Sequence, residues 1–313
     1  MLVEGLPFVP SALLVIGPWL YFGGSTYLPP ALPIGGLYRV PRDGGAYELV
    51  TADYAGGALV TDGRFLYYPK AVWIPNSSWG GGYFTLLQQN IVALPLDGGA
   101  PIDVPAPAPV LGVEFPRANG RPGVYWMSIR ANRGASLDHW DTHTSRTIVT
   151  DVMGDYHSFL ATPSALYFFD EGGLVRTDLD GSGVQRFGND YTMLVQNVGD
   201  TVYAADDRDT GNISILPFHA TNHILAPTPL GVGRRDPTNM FAVADGVAYY
   251  LYKGLFMHKE LADCEASPDC GRFYPFGDAP ASTLAVTVSE CDVYWSGSDD
   301  LIDPPGRVLT RSR

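Results

Sequence analysis

Two histidine pairs in this sequence have a spacing that is typical of metal ligands. His139 and His143 lie four residues apart, and so do His219 and His223. Such a pair binds one metal ion when both side chains lie on one face of a helix. Here the flanking residues favour the turn of a β-hairpin, and no third ligand lies nearby. Surface turn positions are therefore the favoured interpretation, and metal ligands are the alternative.

A second pattern, an acidic residue followed by tyrosine, precedes three apolar segments. The pairs are Asp53-Tyr54, Asp155-Tyr156 and Asp190-Tyr191. Carboxylates and aromatic rings gathered in a concave site can bind a cation, a sugar or a basic peptide segment. The alternative is structural, with Asp capping a turn and Tyr packing between units of the fold. Repetition in register favours the structural role, because a catalytic site would break the repeat.

Residues that break the repeat are the candidates for an enzyme. His157 and Glu114 are the candidate catalytic residues, with His157 as general base. Glu114, Asp190 and Asn239 are the candidate metal ligands, and oxygen ligands of this kind prefer calcium. The corresponding hypothesis is a metal-assisted hydrolase or lactonase. The sequence contains neither the GxSxG elbow of a serine hydrolase nor a glycine-rich loop in the context of phosphate binding.

A long segment carries further aromatic residues among Pro, Ser and Gly. Residues 69 to 88 contain Trp73, Trp79 and Tyr83 and are predicted to form a loop. Loops of this length are often functional. Exposed aromatic rings would form a platform for a sugar or a protein. Equally, the segment could fold down as a plug over a central channel, and the sequence leaves both alternatives open.

The three cysteines divide into a close pair and a single residue. Cys264 and Cys270 enclose a Ser-Pro-Asp turn composition that lets their side chains meet. Their disulfide would add roughly 2 kcal/mol of stability and indicate an oxidising compartment. Two free thiols in a cytosolic loop are the alternative. Cys291 precedes an apolar segment and is expected to be a buried thiol.

These candidate residues are distributed over a chain that repeats itself. Seven tyrosines recur about every 45 residues, each after an apolar run and a short turn: Tyr21, Tyr67, Tyr125, Tyr167, Tyr203, Tyr249 and Tyr294. Hairpins with Asp-Gly turns follow, as in residues 35 to 50, 90 to 104 and 172 to 187. Four antiparallel strands in each repeat are typical of a propeller blade.

The predicted fold class is all-β, a seven-bladed β-propeller of four-stranded antiparallel blades in a single domain over residues 1–313. Its units are predicted to start near Ser11, Gly56, Val110, Tyr156, Tyr191, Asn239 and Ser282. The last unit is one strand short. Residues 2 to 9 would close the ring by pairing with Arg307 to Arg311, burying Leu2, Leu6 and Phe8 on alternate positions. An open or six-bladed array is the alternative.

Tyr-Trp pairs at 125–126 and 294–295, with hairpins such as LYRVPRDGG and IVALPLDGG, extend over nearly the whole chain. In these features the units resemble the YWTD, NHL and TolB-like propellers. The Thr-Asp of the YWTD pattern is replaced by Met-Ser and Ser-Gly, and seven units replace that family's six. The resemblance implies the fold and no functional residue, because propellers carry many unrelated activities.

Charge and composition limit the function further. The net charge is −13, with no cluster of Lys and Arg, so nucleic acid is not an expected partner. The apolar N-terminal stretch is interrupted by Pro7, Pro10 and Pro18 and lacks preceding basic residues. It fits neither a membrane span nor a secretory signal. If the protein is exported, its signal is expected to have been removed.

The two loop sets that open around a propeller channel would place many of these residues on one acidic face. Acidic residues of the second set are Asp170, Glu171, Asp206, Asp207, Asp299 and Asp300. The first hypothesis is a monomeric, non-catalytic recognition or scaffold module in an extracellular, cell-surface or periplasmic setting. It would bind a protein or carbohydrate through this face, using the Asp-Tyr pairs, Asn239, Trp73 and Trp79. The alternative is the hydrolase or lactonase, and calcium is the one cofactor considered.

Overall fold

Regular structure in this protein consists of short strands. The computed structural model describes residues 2–26, 34–54, 57–76, 83–105, 112–129, 135–152, 159–187, 193–206, 213–219, 223–224, 228–232, 241–252, 255–260, 274–278, 282–298 and 306–312. All regular elements in these ranges are β-strands. No helix in this part of the chain has the length and apolar character needed to cross a bilayer.

The N-terminal half forms three four-stranded sheets after an initial strand, β1 (Val3–Leu6). The first sheet contains β2 (Ala12–Ile16), β3 (Trp19–Thr26), β4 (Ile34–Pro41) and β5 (Glu48–Thr51). The second contains β6 (Val60–Thr61), β7 (Phe65–Asn76), β8 (Tyr83–Pro95) and β9 (Ile102–Val104). The third contains β10 (Gly112–Arg117), β11 (Val124–Ile129), β12 (Ala135–Trp140) and β13 (Ser145–Val152).

The C-terminal half continues the same pattern. The fourth sheet contains β14 (Phe159–Ala161), β15 (Ala165–Asp170), β16 (Gly173–Asp178) and β17 (Gln185–Arg186). The fifth contains β18 (Met193–Val198), β19 (Thr201–Asp206), β20 (Ile213–His219), β21 (His223–Ile224) and β22 (Thr228–Val232). The sixth contains β23 (Phe241–Ala244), β24 (Val247–Tyr252), β25 (Leu255–Glu260) and β26 (Tyr274–Asp278). The seventh contains β27 (Ser282–Val288), β28 (Asp292–Ser298) and β29 (Gly306–Ser312), with β1 at its outer edge.

The sheets are antiparallel and their strands follow one another in sequence order. The first strands of neighbouring sheets contact each other from β10 through β14, β18 and β23 to β27, and β27 in turn contacts β2. This arrangement is the one expected of blades that place their first strands around a common axis. The predicted all-β fold of four-stranded antiparallel blades is therefore confirmed.

One sheet departs from the four-strand pattern. In the fifth sheet, β21 pairs with the C-terminal end of β20 and β22 pairs with its N-terminal end, so two short strands share the place of a fourth strand. Seven sheets are formed within the described ranges. The count of seven blades for the complete ring stays a prediction, because much of the fifth and sixth units lies outside those ranges.

The hydrophobic core lies between the sheets. The second strand of each sheet carries its recurrent tyrosine, and each tyrosine with described surroundings packs against the following sheet. Tyr21, for example, lies in a cluster with Leu66 and Tyr68 of the second sheet, and Tyr67 lies in one with Trp126 of the third. The same arrangement holds for Tyr125, Tyr167, Tyr249 and Tyr294. The repeat seen in the sequence is thus a repeat of contacts between blades.

The N-terminal strand closes the ring as predicted. β1 pairs antiparallel with β29, with Val3 opposite Val308 and Leu6 opposite Gly306. Leu6 and Phe8 are buried as expected, but Val3 is buried and Leu2 only half-buried. The reason is an irregularity between Val3 and Leu6, where Gly5 has a φ of 71°. The predicted alternation of Leu2 with Leu6 is therefore wrong, because a bulge places residues three apart on the same face.

We call the boundary between the first and seventh sheets the closing seam. At its opposite end from the β1–β29 pair, a polar contact also joins these two sheets. Arg42, in the turn after β4, donates from Nε to the Tyr294 hydroxyl at 3.1 Å and from Nη2 to Ser289 Oγ at 2.9 Å. Its guanidinium also lies 3.5 Å from Asp292 Oδ2. The closing seam therefore combines a strand pair, an apolar cluster and an arginine with three side-chain partners.

The closing strand can be tested by truncation and by a matched pair of substitutions. A chain that starts at Ser11 should aggregate and melt at a lower temperature, because it exposes the edge of β29 and the apolar surface beneath β1. Leu6→Ala should lower the free energy of unfolding by about 2 to 4 kcal/mol. Glu4→Ala, at an exposed position of the same strand, should change it by less than about 0.5 kcal/mol. A truncated chain that stays monomeric with an unchanged melting temperature would rule out this closure.

Candidate functional site

The end of the sheets that carries the predicted site is formed by two sets of connections. One set enters the first strand of each sheet, and the other joins the second strand to the third. Several predicted residues on these connections lie outside the described ranges: Asp155, Tyr156, His157, Asp190, Tyr191, Asn239, Trp79, Asp207, Asp299 and Asp300. The structure gives the surroundings of Asp53, Tyr54 and Asp170, and the strand positions of Glu114 and Trp73.

Tyr54 is buried between the first and second sheets. Its ring packs with Tyr21 on one side and Tyr68 on the other, and its hydroxyl donates to the Gly57 carbonyl at 2.5 Å. A Cβ on Gly23 would lie 2.3 Å from the ring, so the absence of a side chain there makes room for the tyrosine. Burial raises the pKa of the Tyr54 hydroxyl. This is the blade-joining role that the repeat favoured, and the buried ring has no surface to offer a ligand.

Two acidic residues at this end of the sheets, Asp53 and Asp170, have different surroundings. Asp53 is exposed, and its backbone N–H donates to Thr51 Oγ1 at 3.1 Å. Asp170 ends β15, where its Oδ1 accepts from the Gly172 N–H at 2.7 Å and its Oδ2 forms an ion pair with Arg186. Asp170 therefore stabilises its own turn and a neighbouring strand.

Residues 69–76 and 83–88 lie in strands where a loop was predicted. β7 and β8 are 12 and 13 residues long, and their pairing continues without a gap in the ladder from Ala71 opposite Gln88 to Asn76 opposite Tyr83. β6 pairs only with residues up to Tyr67, and β9 begins opposite Ile91. The two strands therefore extend beyond their own sheet as a two-stranded ribbon, which we call the arm (residues 71–76 and 83–88). Trp73 lies on it, opposite Leu86.

The arm belongs to the second sheet, but its strands also approach the third. Both β7 and β8 contact β10, the first strand of the third sheet. Glu114 lies on β10, opposite Met127 of β11. The strands β7 and β8 therefore contact the strand that carries a predicted catalytic and metal-binding residue.

A buried polar network lies in the same seam and was missed by the sequence analysis. Trp126 Nε1 donates to Ser128 Oγ at 3.0 Å, and the Ser128 hydroxyl donates to Asp138 Oδ2. Ser136 Oγ lies 3.4 Å from Asp138 Oδ1. The exposed fraction of Asp138, Ser128 and Ser136 is 0%. These four residues alternate along β11 and β12, so they share the sheet face on which Trp126 packs against Tyr67 and Ile91.

This network has the chemistry of a structural carboxylate. A buried carboxylate is costly unless hydrogen bonds satisfy it, and here two hydroxyl groups do so while an indole orients one of them. The sequence signal was available, because Ser and Asp alternate with apolar residues inside strands that are otherwise buried.

Both histidine pairs lie on or between third and fourth strands, and the predicted surface turn position is confirmed for His143 but wrong for His139, which is half-buried on a strand. His139 lies on β12 and stacks on Tyr125 with ring centroids 4.1 Å apart, while His143 lies in the exposed turn. His219 pairs with His223 across the β20–β21 hairpin. Burial, with a smaller effect of the Arg146 charge, lowers the pKa of His139 to about 4. Within the described ranges no group of three or more His, Cys, Asp and Glu could hold a metal ion.

The cysteine predictions have different outcomes. Cys264 and Cys270 lie outside the described residues, so their disulfide stays a prediction. Cys291 was expected to be buried, and this is wrong. It lies exposed in the turn between β27 and β28, one residue before the strand begins at Asp292. The apolar run that suggested burial starts only at Val293.

Comparison with known proteins finds likeness in structure and not in sequence. Neither the known protein-family models nor the curated protein sequences contain a match. The β-propeller domain of the Trilobed protease from Pyrococcus furiosus matches with a TM-score of 0.66 and 9% identity, over 98% of this chain and 97% of that one. Oligogalacturonate lyase from Vibrio parahaemolyticus matches at 0.65 and 11%, over 95% and 86%. Puromycin hydrolase matches at 0.57 and 15%, over 98% of this chain and 53% of its own.

The protein is a β-propeller. The identities are too low for the comparisons to show more than the fold, because propellers of unrelated function share one architecture. The Trilobed protease domain is described as having an open velcro topology. Here, in contrast, β1 pairs with β29.

The buried network predicts a large effect of one carboxylate on stability. Asp138→Ala should lower the free energy of unfolding by about 2 to 4 kcal/mol, because it leaves two buried hydroxyl groups without their acceptor. Asp103→Ala is the matched control: this exposed carboxylate lies 3.3 Å from Lys70, and its loss should cost less than about 1 kcal/mol. Chemical denaturation measures both. Equal effects of the two substitutions would contradict a structural role for the network.

His139 predicts a dependence of stability on pH. The folded protein keeps the imidazole neutral down to about pH 4, whereas the unfolded chain takes up a proton near pH 6.5. The free energy of unfolding should therefore fall as the pH drops from about 6.5 to 4, and His139→Gln should remove that component. His143→Gln, in the same hairpin, should retain the dependence that His139 supplies. Identical pH profiles for His139→Gln and the wild type would contradict the prediction.

Proposed function

We propose that this propeller is a non-catalytic recognition module that binds a protein or carbohydrate partner through the end of the ring that carries the arm. The single observation that supports this most strongly is the arm itself. Residues 71–76 and 83–88 pair only with each other, over six positions on each strand, whereas the comparable extension of the first sheet, 24–26 with 34–36, has three. Such an extension adds little to the packing of its own blade.

The physical state of the arm favours a binding role. A two-stranded ribbon in water is at best marginally stable and needs a surface to pack against. β10, which contacts β7 and β8, would supply part of that surface. A partner that lies along the ribbon would supply the rest, and aromatic residues such as Trp73 are typical of such contacts. The length of the arm and its aromatic residues are therefore suited to recognition of a partner.

The proposed setting is outside the cytosol, and the partner is a protein or a glycan. The close pair Cys264 and Cys270 supports this part of the proposal, because a disulfide between them would form in an oxidising compartment. The hydrolase or lactonase hypothesis depends on Glu114, Asp190, Asn239 and His157, and of these the structure describes only the backbone of Glu114. The experiment must therefore distinguish hydrolase or lactonase activity from recognition.

The test is a variant in which Asn-Gly replaces residues 72–87. Ala71 and Gln88 are direct partners, so a two-residue turn can join them without altering the rest of the sheet. The melting temperature should stay within a few degrees of the wild type. Binding to an array of glycans and secreted protein domains should be lost, while Asp180→Asn, in an exposed turn of the fourth sheet, should bind as the wild type does.

The opposite results are equally informative. A variant that binds the same partners as the wild type would contradict recognition by the arm. A large fall in melting temperature would show that the arm is a plug that stabilises the ring. Calorimetry with calcium and a screen of esters and lactones complete the experiment, because calcium binding together with turnover would replace the proposal by the hydrolase.

A further inference from the structure

A cleft lies at the other end of the ring, away from the arm. Three turns meet there: the turn between β2 and β3, the turn after β4 and the turn between β27 and β28. The cleft has a volume of about 550 Å³ and is lined by Pro18, Trp19, Pro41, Arg42, Asp43 and Asp292. Because these turns belong to the first and seventh sheets, the cleft lies on the seam that closes the ring.

The floor of the cleft is fixed by Arg42. Its backbone N–H donates to the Pro18 carbonyl at 2.9 Å, and its guanidinium binds Tyr294, Ser289 and Asp292 of the seventh sheet. A guanidinium has five N–H groups, and most of them are engaged here. Its positive charge is offset by Asp292 at 3.5 Å. The shape of the cleft therefore depends on contacts within the protein and not on a ligand.

The lining of the cleft combines apolar and acidic side chains. Pro18 and Pro41 flank the indole of Trp19, whose ring carries the guanidinium of Arg39 at 4.4 Å from its centroid. Asp43 is exposed and forms no ion pair with any described residue. Arg39 is itself paired with Glu48, so the two carboxylates and one guanidinium that line the cleft leave one negative charge in excess. The protein as a whole also carries a net charge of −13.

This combination fits a lysine or arginine side chain. The aliphatic stem of such a side chain packs well over proline and indole rings, while its cationic end remains near carboxylates. We propose that the cleft binds an extended segment of a partner protein through one basic side chain, with the stem over Trp19 and the cation near Asp43 and Asp292. This site is separate from the arm and does not depend on the function proposed for it.

The experiment uses the full chain labelled with ¹⁵N in its six tryptophans, so that each indole N–H is a separate reporter. The probe is the peptide acetyl-Pro-Lys-Pro-amide, and acetyl-Pro-Gln-Pro-amide is its neutral counterpart. The Lys peptide should shift the Trp19 signal, which is assigned with Trp19→Phe, to saturation and leave the other signals unchanged. The Gln peptide should bind at least about fivefold more weakly.

Two carboxylate variants locate the site. Asp43→Asn should weaken binding of the Lys peptide by about fivefold or more. Asp97→Asn is the matched control, because Asp97 is exposed in the corresponding turn of the second sheet. It should bind as the wild type does. The variant with the shortened arm should also bind the Lys peptide normally, so failure of one proposal leaves the other intact.

Three results would overturn the inference. The first is equal binding of the Gln and Lys peptides, which would remove the role of the cation. The second is equal weakening by Asp43→Asn and Asp97→Asn, which would indicate attraction to the general negative charge of the protein. The third is the absence of any shift of the Trp19 signal up to the solubility limit of the peptide.

Discussion

The structure depends on apolar packing between neighbouring sheets. Each described core cluster spans two of them, as where Tyr125 of the third sheet meets Phe159 of the fourth. A four-stranded blade with both faces covered in this way has no stable form alone, because its apolar faces need neighbours on either side. The last sheet must therefore pack against the first. The cluster that joins Val3, Phe8 and Tyr294 is the contact on which the other seams depend.

Apolar packing between neighbouring sheets has little directional preference. Polar groups therefore set how one sheet is aligned with the next. Asp62, in the turn before β7, accepts from the Tyr67 hydroxyl at 2.8 Å and from the Gly123 N–H of the next sheet at 2.9 Å. Burial alone would raise the pKa of Asp62, but these hydrogen bonds outweigh it and hold the pKa below its ordinary value. Asp200 of the fifth sheet likewise accepts from Ser164 Oγ of the fourth sheet at 2.6 Å and joins these two sheets. The contribution of Asp62 is present above its ordinary pKa and is lost as the pH falls below it.

The sequence predicted what the repeat encodes and missed what departs from it. The tyrosines predicted the sheets and their order, because each occupies the same place at a seam. The strands at 71–76 and 83–88 and the exposed Cys291 each occur in one unit, and the position of an irregularity such as the one at Gly5 differs from sheet to sheet. Asp138 was missed for a related reason: its hydrogen-bond partners lie on its own strand and on the adjacent strand β11, and strand periodicity alone does not reveal that they are hydrogen-bonded. Most of the predicted site residues lie outside the described ranges, so the acidic face stays a prediction.

Both proposed binding surfaces lie where the repeat is interrupted, and the packing of the ring explains why. Blades that bury both faces leave only their ends for a partner, and turns that recur in register are already engaged in holding seams, as Asp62 is. Surface becomes available where a unit exceeds the common pattern, as the arm does, or where two unlike units meet, as at the closing seam. Arg42 shows the second case, because it joins the first sheet to the last and forms the floor of a cleft in doing so. The constraint that closes the ring thus also creates a surface unlike any other seam in the described chain.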